Sequence, residues 1–266
     1  MNVILVVLAA VVALAAAARS TWSPCGQSML SQINPVAEAG RNQRYRRTAG
    51  WFVVGAAVGG STLGALSAGL ATAVDATGIG HRSALAIAAA CALLAAAIDT
   101  RILGFGPPFI RRQVNEDWLS KYRPWVYGGA FGWQIGVGVT TYVMTAAVPL
   151  TIAFAALSAS TWVALGTGVL FGTARGLTVL LSAPLRTQSD LYAFHRRFAA
   201  GAERVRHAVI AVQLAVAVGA AWVAAPTLAA ACVTAVALGL AVWLRSRALA
   251  EQSRTRVSTR QLASDM

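Results

Sequence analysis

Residues 19–35 read RSTWSPCGQSMLSQINP. They follow an apolar run, Val3 to Ala18, that at about 1.5 Å of rise per residue reaches about 24 Å, short of the roughly 30 Å of hydrocarbon in a bilayer. The segment must therefore continue through Pro24, Cys25 and Gln27, with Arg19 at its shoulder. A proline and polar side chains at that depth are tolerated only where protein or a water-filled cavity covers them. The stretch predicts a broken first span that faces the inside of a helix bundle.

The rest of the chain supplies that bundle. Of its 266 residues 57% are hydrophobic and only 12% charged, with a mean hydropathy of +0.62; an average soluble domain carries about 25% charged residues. The composition is that of an all-α, polytopic membrane protein. A net charge of +13 does not point to nucleic acid, because the basic residues fall in short connections between apolar runs and form no stacking or recognition motif. They fit the positive-inside rule, with the lipid bilayer as partner. Cys25, Cys91 and Cys232 show neither CxxC nor Cys/His metal spacing, so no disulfide scaffold, metal or cofactor is expected.

Seven spans are expected. The first has no Lys or Arg before it and re-enters a membrane-like pattern at once, so it reads as a retained span rather than a cleaved signal. The second runs from about Ala49 to Val74 and carries Gly55, Gly59, Gly60, Gly64 and Gly69, a spacing that lets helix backbones approach closely. The third covers Ser83 to Leu103. A polar connection follows in which VNEDWLSKYR is read as interfacial helix, with Trp118 and Tyr122 at headgroup level. The fourth, Trp125 to Leu157, is too long for one straight crossing and is broken at WQIGVGVTT. The fifth runs from Thr161 to Leu181, and Arg186 to Arg206 is read as a basic connection. A sixth span from His207 and a seventh at 227–244 are joined by a turn at Ala225-Pro226-Thr227.

Arg excess after the first, third, fifth and seventh spans places the N-terminus outside and the C-terminus in the cytoplasm, in the inner membrane. The expected domain is one membrane unit over 1–245, with a basic cytoplasmic tail at 246–266. Within it Trp22 and Trp51 stand 111 positions before Trp133 and Trp162, and Gly55 stands 111 before Gly166. Halves of three helices at about 1–104 and 124–225, plus an extra span at 227–244, would form an inverted repeat whose broken helices meet near the midplane.

Ser23-Pro24-Cys25, followed by a basic loop and a Gly-rich span, resembles the transmembrane domain of the DsbD/CcdA thiol-reductant carriers within the LysE-type transporter superfamily. That resemblance implies the inverted-repeat fold, a central site between spans one and four, Cys25 as a redox residue and a thioredoxin-like partner. A thiol relay needs a second sulfur. The matching part of the fourth span offers none: Gly136 stands opposite Cys25, and Thr140 and Thr141 are the nearest polar residues.

Arg19 and Arg175 are the costliest side chains in the spans, since insertion charges about 2.5–3.5 kcal/mol for Arg at a helix centre. Either they line a cavity and bind an anion, or Arg19 snorkels and Arg175 pairs with backbone carbonyls or Asp99. Pro24, Gln27, Gln134, Thr140 and Thr141 would line a polar path, though hydrogen bonds between helices explain the polar ones equally well. Asp99 either couples an ion or proton, pairs with Arg101 or caps a helix end. No hydrolase or kinase set stands out, so an enzyme is not expected. The reading is a transporter or permease of a small, anionic solute. The alternatives are a thiol-disulfide carrier using Cys25 and a non-catalytic membrane scaffold.

Overall fold

The computed structural model describes residues 3–110, 121–225, 231 and 234–246. Among them every regular element is helical, apart from one antiparallel bridge between Ile110 and Val143. In chain order the helices are α1 (Val3–Ser20), α2 (Pro24–Gln32), α3 (Pro35–Gly40), α4 (Tyr45–Ala76), α5 (His81–Thr100), α6 (Pro124–Val137), α7 (Ala147–Leu157) and α8 (Thr161–Leu177), which runs on as a 3-10 turn (Thr178–Ser182). They end with α9 (Gln188–Ala224) and α10 (Thr234–Ser246). Five of the described helices are long and apolar enough to cross a membrane: α1, α4, α5, α8 with its 3-10 turn, and α9; α7 and α10 are shorter and apolar. The interfacial helix expected around Trp118, the turn at Pro226, Cys232 and most of the basic tail lie outside the described residues.

Both expected breaks have local causes. After Ser20 the first helix stops, and Ser23 caps α2 by accepting from the Gly26 amide at 3.2 Å, with Pro24 at the first helical position. There a proline loses no hydrogen bond. A Cβ on Gly26 would sit 2.1 Å from the Thr21 carbonyl oxygen, so this turn needs glycine. Asn34-Pro35 opens α3 in the same way, and α6 shares only the proline, Pro124, since Arg123 gives no side-chain cap. The second break follows Val137, where Gly138 takes φ +75°, a left-handed conformation that costs glycine little. Alone, α6 and α7 reach about 21 and 16 Å, too short to cross.

Arg186 to Arg206 is not a connection. Thr187 and Asp190 form a capping box, and the helix it starts runs unbroken for 37 residues, about 55 Å. Its first turns carry Phe194 and Phe198, which stack on each other and, through Phe198, on Trp22 at 4.3 Å.

α4 is the hub. Gly55 and Gly59 meet the backbone of α6 at Gly129 and Trp133, while Gly60 and Gly64 meet α8 at Gly168 and Leu165. Glycines four apart let three helices touch backbone to backbone. Around this trio α1, α5, α7 and α9 share one apolar cluster that includes Leu5, Leu85, Phe154 and Val216. The two W-x-x-x-G patterns do not pack alike. Gly55 is pressed on Gly129 whereas Gly166 has open space, and Trp51 is 43% exposed against 80% for Trp162.

Candidate functional site

The non-helical segment between α6 and α7, residues 138–146, is held at its two ends by opposite charges from other helices. At the α6 end, Arg175 of α8 is 2% exposed and donates from Nη1 to the Ile135 carbonyl at 2.7 Å, with Thr141 Oγ1 at 3.4 Å. A cation therefore meets the negative C-terminal end of a half-helix. Among the described residues its Nε and Nη2 have no hydrogen-bond partner, and its guanidinium lies over the Phe171 ring at 6.0 Å. It also stands within electrostatic reach of Cys25.

At the α7 end, Asp99 from the last turn of α5 accepts from Thr145 Oγ1 at 2.6 Å, the Ala146 amide at 2.8 Å and Gln213 Nε2 of α9 at 2.9 Å. An anion caps the positive N-terminus of the second half-helix. Asp99 thereby ties α5, α7 and α9 together. It also borders a small pocket of ≈ 140 Å³ with Arg19, Arg101, Tyr142 and Arg206. Arg19 is 6% exposed there, and its Nη1 has no hydrogen-bond partner among the described residues.

Asp99→Ala is expected to lower stability by about 1–3 kcal/mol, because it strands three donors in a buried place. Asp99→Asn should cost less, since one amide oxygen can still accept. Melting of the purified protein in detergent orders the three proteins; equal melting of wild type and Asp99→Ala would contradict the capping role.

A third polar cluster lies near the foot of α4. Glu38 is fully buried and takes hydrogen bonds from Thr48 Oγ1 at 2.6 Å and from the Tyr127 hydroxyl at 2.9 Å, and pairs with Arg41 at 2.7 Å. Arg41 also donates to the Gln32 carbonyl and lies over the Tyr127 ring. This joins α3, α4 and α6.

The expected site residues do not form one path. Arg175, Thr141 and Cys25 gather around the α6 end of the break, and Arg19 and Asp99 share the pocket at the other. Pro24 and Gln27 belong to the opening turns of α2, where Gln27 is exposed and bonds the Trp22 carbonyl. Thr140 is exposed and donates to the Gln134 carbonyl. Cys25 packs with Phe52 and Ile135, and Cys91 packs against the cluster of α1, α5, α7 and α9; neither is in a disulfide among the described residues. Among the described residues no group of His, Cys, Asp or Glu could hold a metal ion.

Sequence reasoning passed over Glu38, Tyr127, Thr145 and Gln213. Glu38 carried one usable signal, as the lone acid in a basic connection, four residues after an Asn-Pro helix start.

No protein-family model and no solved structure matches the chain. Curated relatives are named methylamine utilization protein MauF. That of Paracoccus versutus is 30% identical over 164 residues, covering 61% of this chain and 60% of that protein. Those of Paracoccus denitrificans and Methylorubrum extorquens are each 31% identical, covering 62% and 61% of this chain and 59% and 58% of theirs. The chain thus spans about 60% of the length of these relatives.

These relatives overturn the resemblance to DsbD/CcdA carriers and the LysE-type superfamily, and with it the reading as a transporter or a thiol-disulfide carrier with a small-molecule substrate and a thioredoxin-like partner. The geometry explains the misreading. Ser23-Pro24 is the capping pair that starts α2, a signature any helix can carry, and Cys25 and Cys91 sit in separate apolar clusters.

Proposed function

We propose that this chain is a multi-pass membrane accessory protein of methylamine utilisation, one that assists maturation of methylamine dehydrogenase rather than acting on the amine. The observation that carries it is the likeness to proteins named for methylamine utilisation, 30–31% identical over more than half of the chain. The way the buried polar groups are used supports it. Asp99 and Glu38 have their carboxylate oxygens engaged by the protein's own donors, which makes them fasteners between helices.

In the same reading the chain is one membrane domain through residue 245, in the inner membrane, with its N-terminus outside and its C-terminus in the cytoplasm. α6 and α7 together make one further crossing and α10 another, for seven in all, with halves at about 1–104 and 124–225. The Arg residues at 41–47 and 186–206 support that orientation. Arg175 and Asp99 then serve to hold the broken helix, with Arg19 in the pocket beside Asp99.

Deleting the gene in its own host tests the function. Growth on methylamine as sole nitrogen source and methylamine dehydrogenase activity should both be lost, while uptake of labelled methylamine stays within about twofold of wild type, and the full chain supplied in trans should restore both. Loss of uptake with active dehydrogenase, or unimpaired growth, would overturn the proposal.

A further inference from the structure

A groove of ≈ 750 Å³ opens between the start of α4 and the end of the 3-10 turn. Ala49, Gly50 and Val53 form one wall and Leu180 and Ala183 the other, and Arg44, Arg46 and Arg186 stand at its mouth. All three arginines are exposed, and none makes an ion pair with an Asp or Glu among the described residues. The walls are fixed to each other by the Tyr45 hydroxyl, which donates to the Val179 carbonyl at 2.9 Å, and Ser182 ties the 3-10 turn to the end of α2 by donating to the Ile33 carbonyl at 2.9 Å. The groove is therefore a built feature.

Its depth in the bilayer can be read from the aromatics. Trp51 and Trp125 stand side by side, ring centroids 6.4 Å apart and both about half exposed, as in the belt where headgroups meet hydrocarbon. Arg44 and Arg46 precede that level in α4, and Val53 follows it. Charge at the headgroup level and an apolar trough just below it are the two halves of an amphiphile's complement. Gly50 widens the trough: a Cβ added there would meet nothing within 4 Å.

We propose that this groove binds one anionic phospholipid, its phosphate against Arg44, Arg46 and Arg186 and an acyl chain along Gly50, Val53 and Leu180. Three unpaired guanidiniums select an anionic over a zwitterionic headgroup. The apolar walls select a lipid over a free phosphate. Binding here does not depend on which pathway the protein serves.

The test uses the full chain purified in neutral detergent, mixed with phosphatidylglycerol or phosphatidylcholine of identical acyl chains, with bound lipid counted by native mass spectrometry. Phosphatidylglycerol should be retained about tenfold better than phosphatidylcholine. The combined Arg44→Gln, Arg46→Gln and Arg186→Gln variant should bring that ratio to about one. Gly50→Leu puts a side chain into the trough and should lower retention of both lipids, with the melting temperature of the lipid-free protein unchanged. Equal retention of the two lipids by the wild type overturns the proposal. So does unchanged retention in Gly50→Leu, or thermal stabilisation by inorganic phosphate alone equal to that by phosphatidylglycerol.

Discussion

Gly60→Leu is expected to remove folded protein from the membrane, leaving less than about a tenth of the wild-type monodisperse peak in mild detergent. The first added carbon would lie 2.4 Å from the Gly168 carbonyl oxygen and 2.9 Å from the Gly172 Cα. Both are backbone atoms, so no side chain can swing aside. Extra methylenes in an ordinary packed core cost about 1–3 kcal/mol because neighbours shift. Here the whole of α8 must move off α4, and with it the contacts of Gly64 and Gly172. Against a total stability of about 5–15 kcal/mol, that is a large fraction. Gly69→Leu, on the same helix but with nothing within 4 Å, is the control and should accumulate normally. Size-exclusion of fluorescent fusions reads both; a normal peak for Gly60→Leu would mean that the helices do not pack backbone to backbone.

Glu38→Ala should be the second most damaging change, at about 3 kcal/mol, the low end of the cost of removing one partner from a buried ion pair, because Glu38 is fully buried while Arg41 keeps 26% exposure. It leaves the hydroxyls of Thr48 and Tyr127 without their acceptor. It also leaves the Arg41 guanidinium facing the Tyr127 ring without a counter-charge. Thermal melts of a double-mutant cycle separate these effects. Glu38→Ala with Arg41→Ala should lose less than the sum of the single changes, because the stranded charge is gone. Strict additivity would show that the pair is not coupled.

Much of the architecture was legible because hydropathy and punctuation are local signals. Apolar runs marked α1, α4, α5 and α8, and Pro24 and the glycines of α6 marked the neighbourhoods of both breaks. The basic stretch from Arg186 was misread for the opposite reason. Positive charge suggested a connection, while Thr187 and Asp190, three apart, already spelled a helix start. Arg19, Asp99 and Arg175 were visible because a charge in an apolar run stands out. Their partners were not, since the bonds of Asp99 to Thr145 and Gln213 cross 46 and 114 positions and that of Glu38 to Tyr127 crosses 89. No spacing rule reaches so far. The family was misjudged from three residues that serve chiefly to begin a helix.

The central position of α4 sets a timetable for biogenesis. Its glycine ladder is complete as soon as Ala76 has been added, yet α8, which fills one side of it, begins 85 positions later at Thr161. At ordinary translation speeds that is a wait on the order of ten seconds. Throughout it the bare backbone face of α4 has only lipid or the insertion machinery for company. The nascent protein is thus open to membrane quality control until the fourth of its five long helices emerges, and yield will depend on the pace of synthesis between residues 76 and 161.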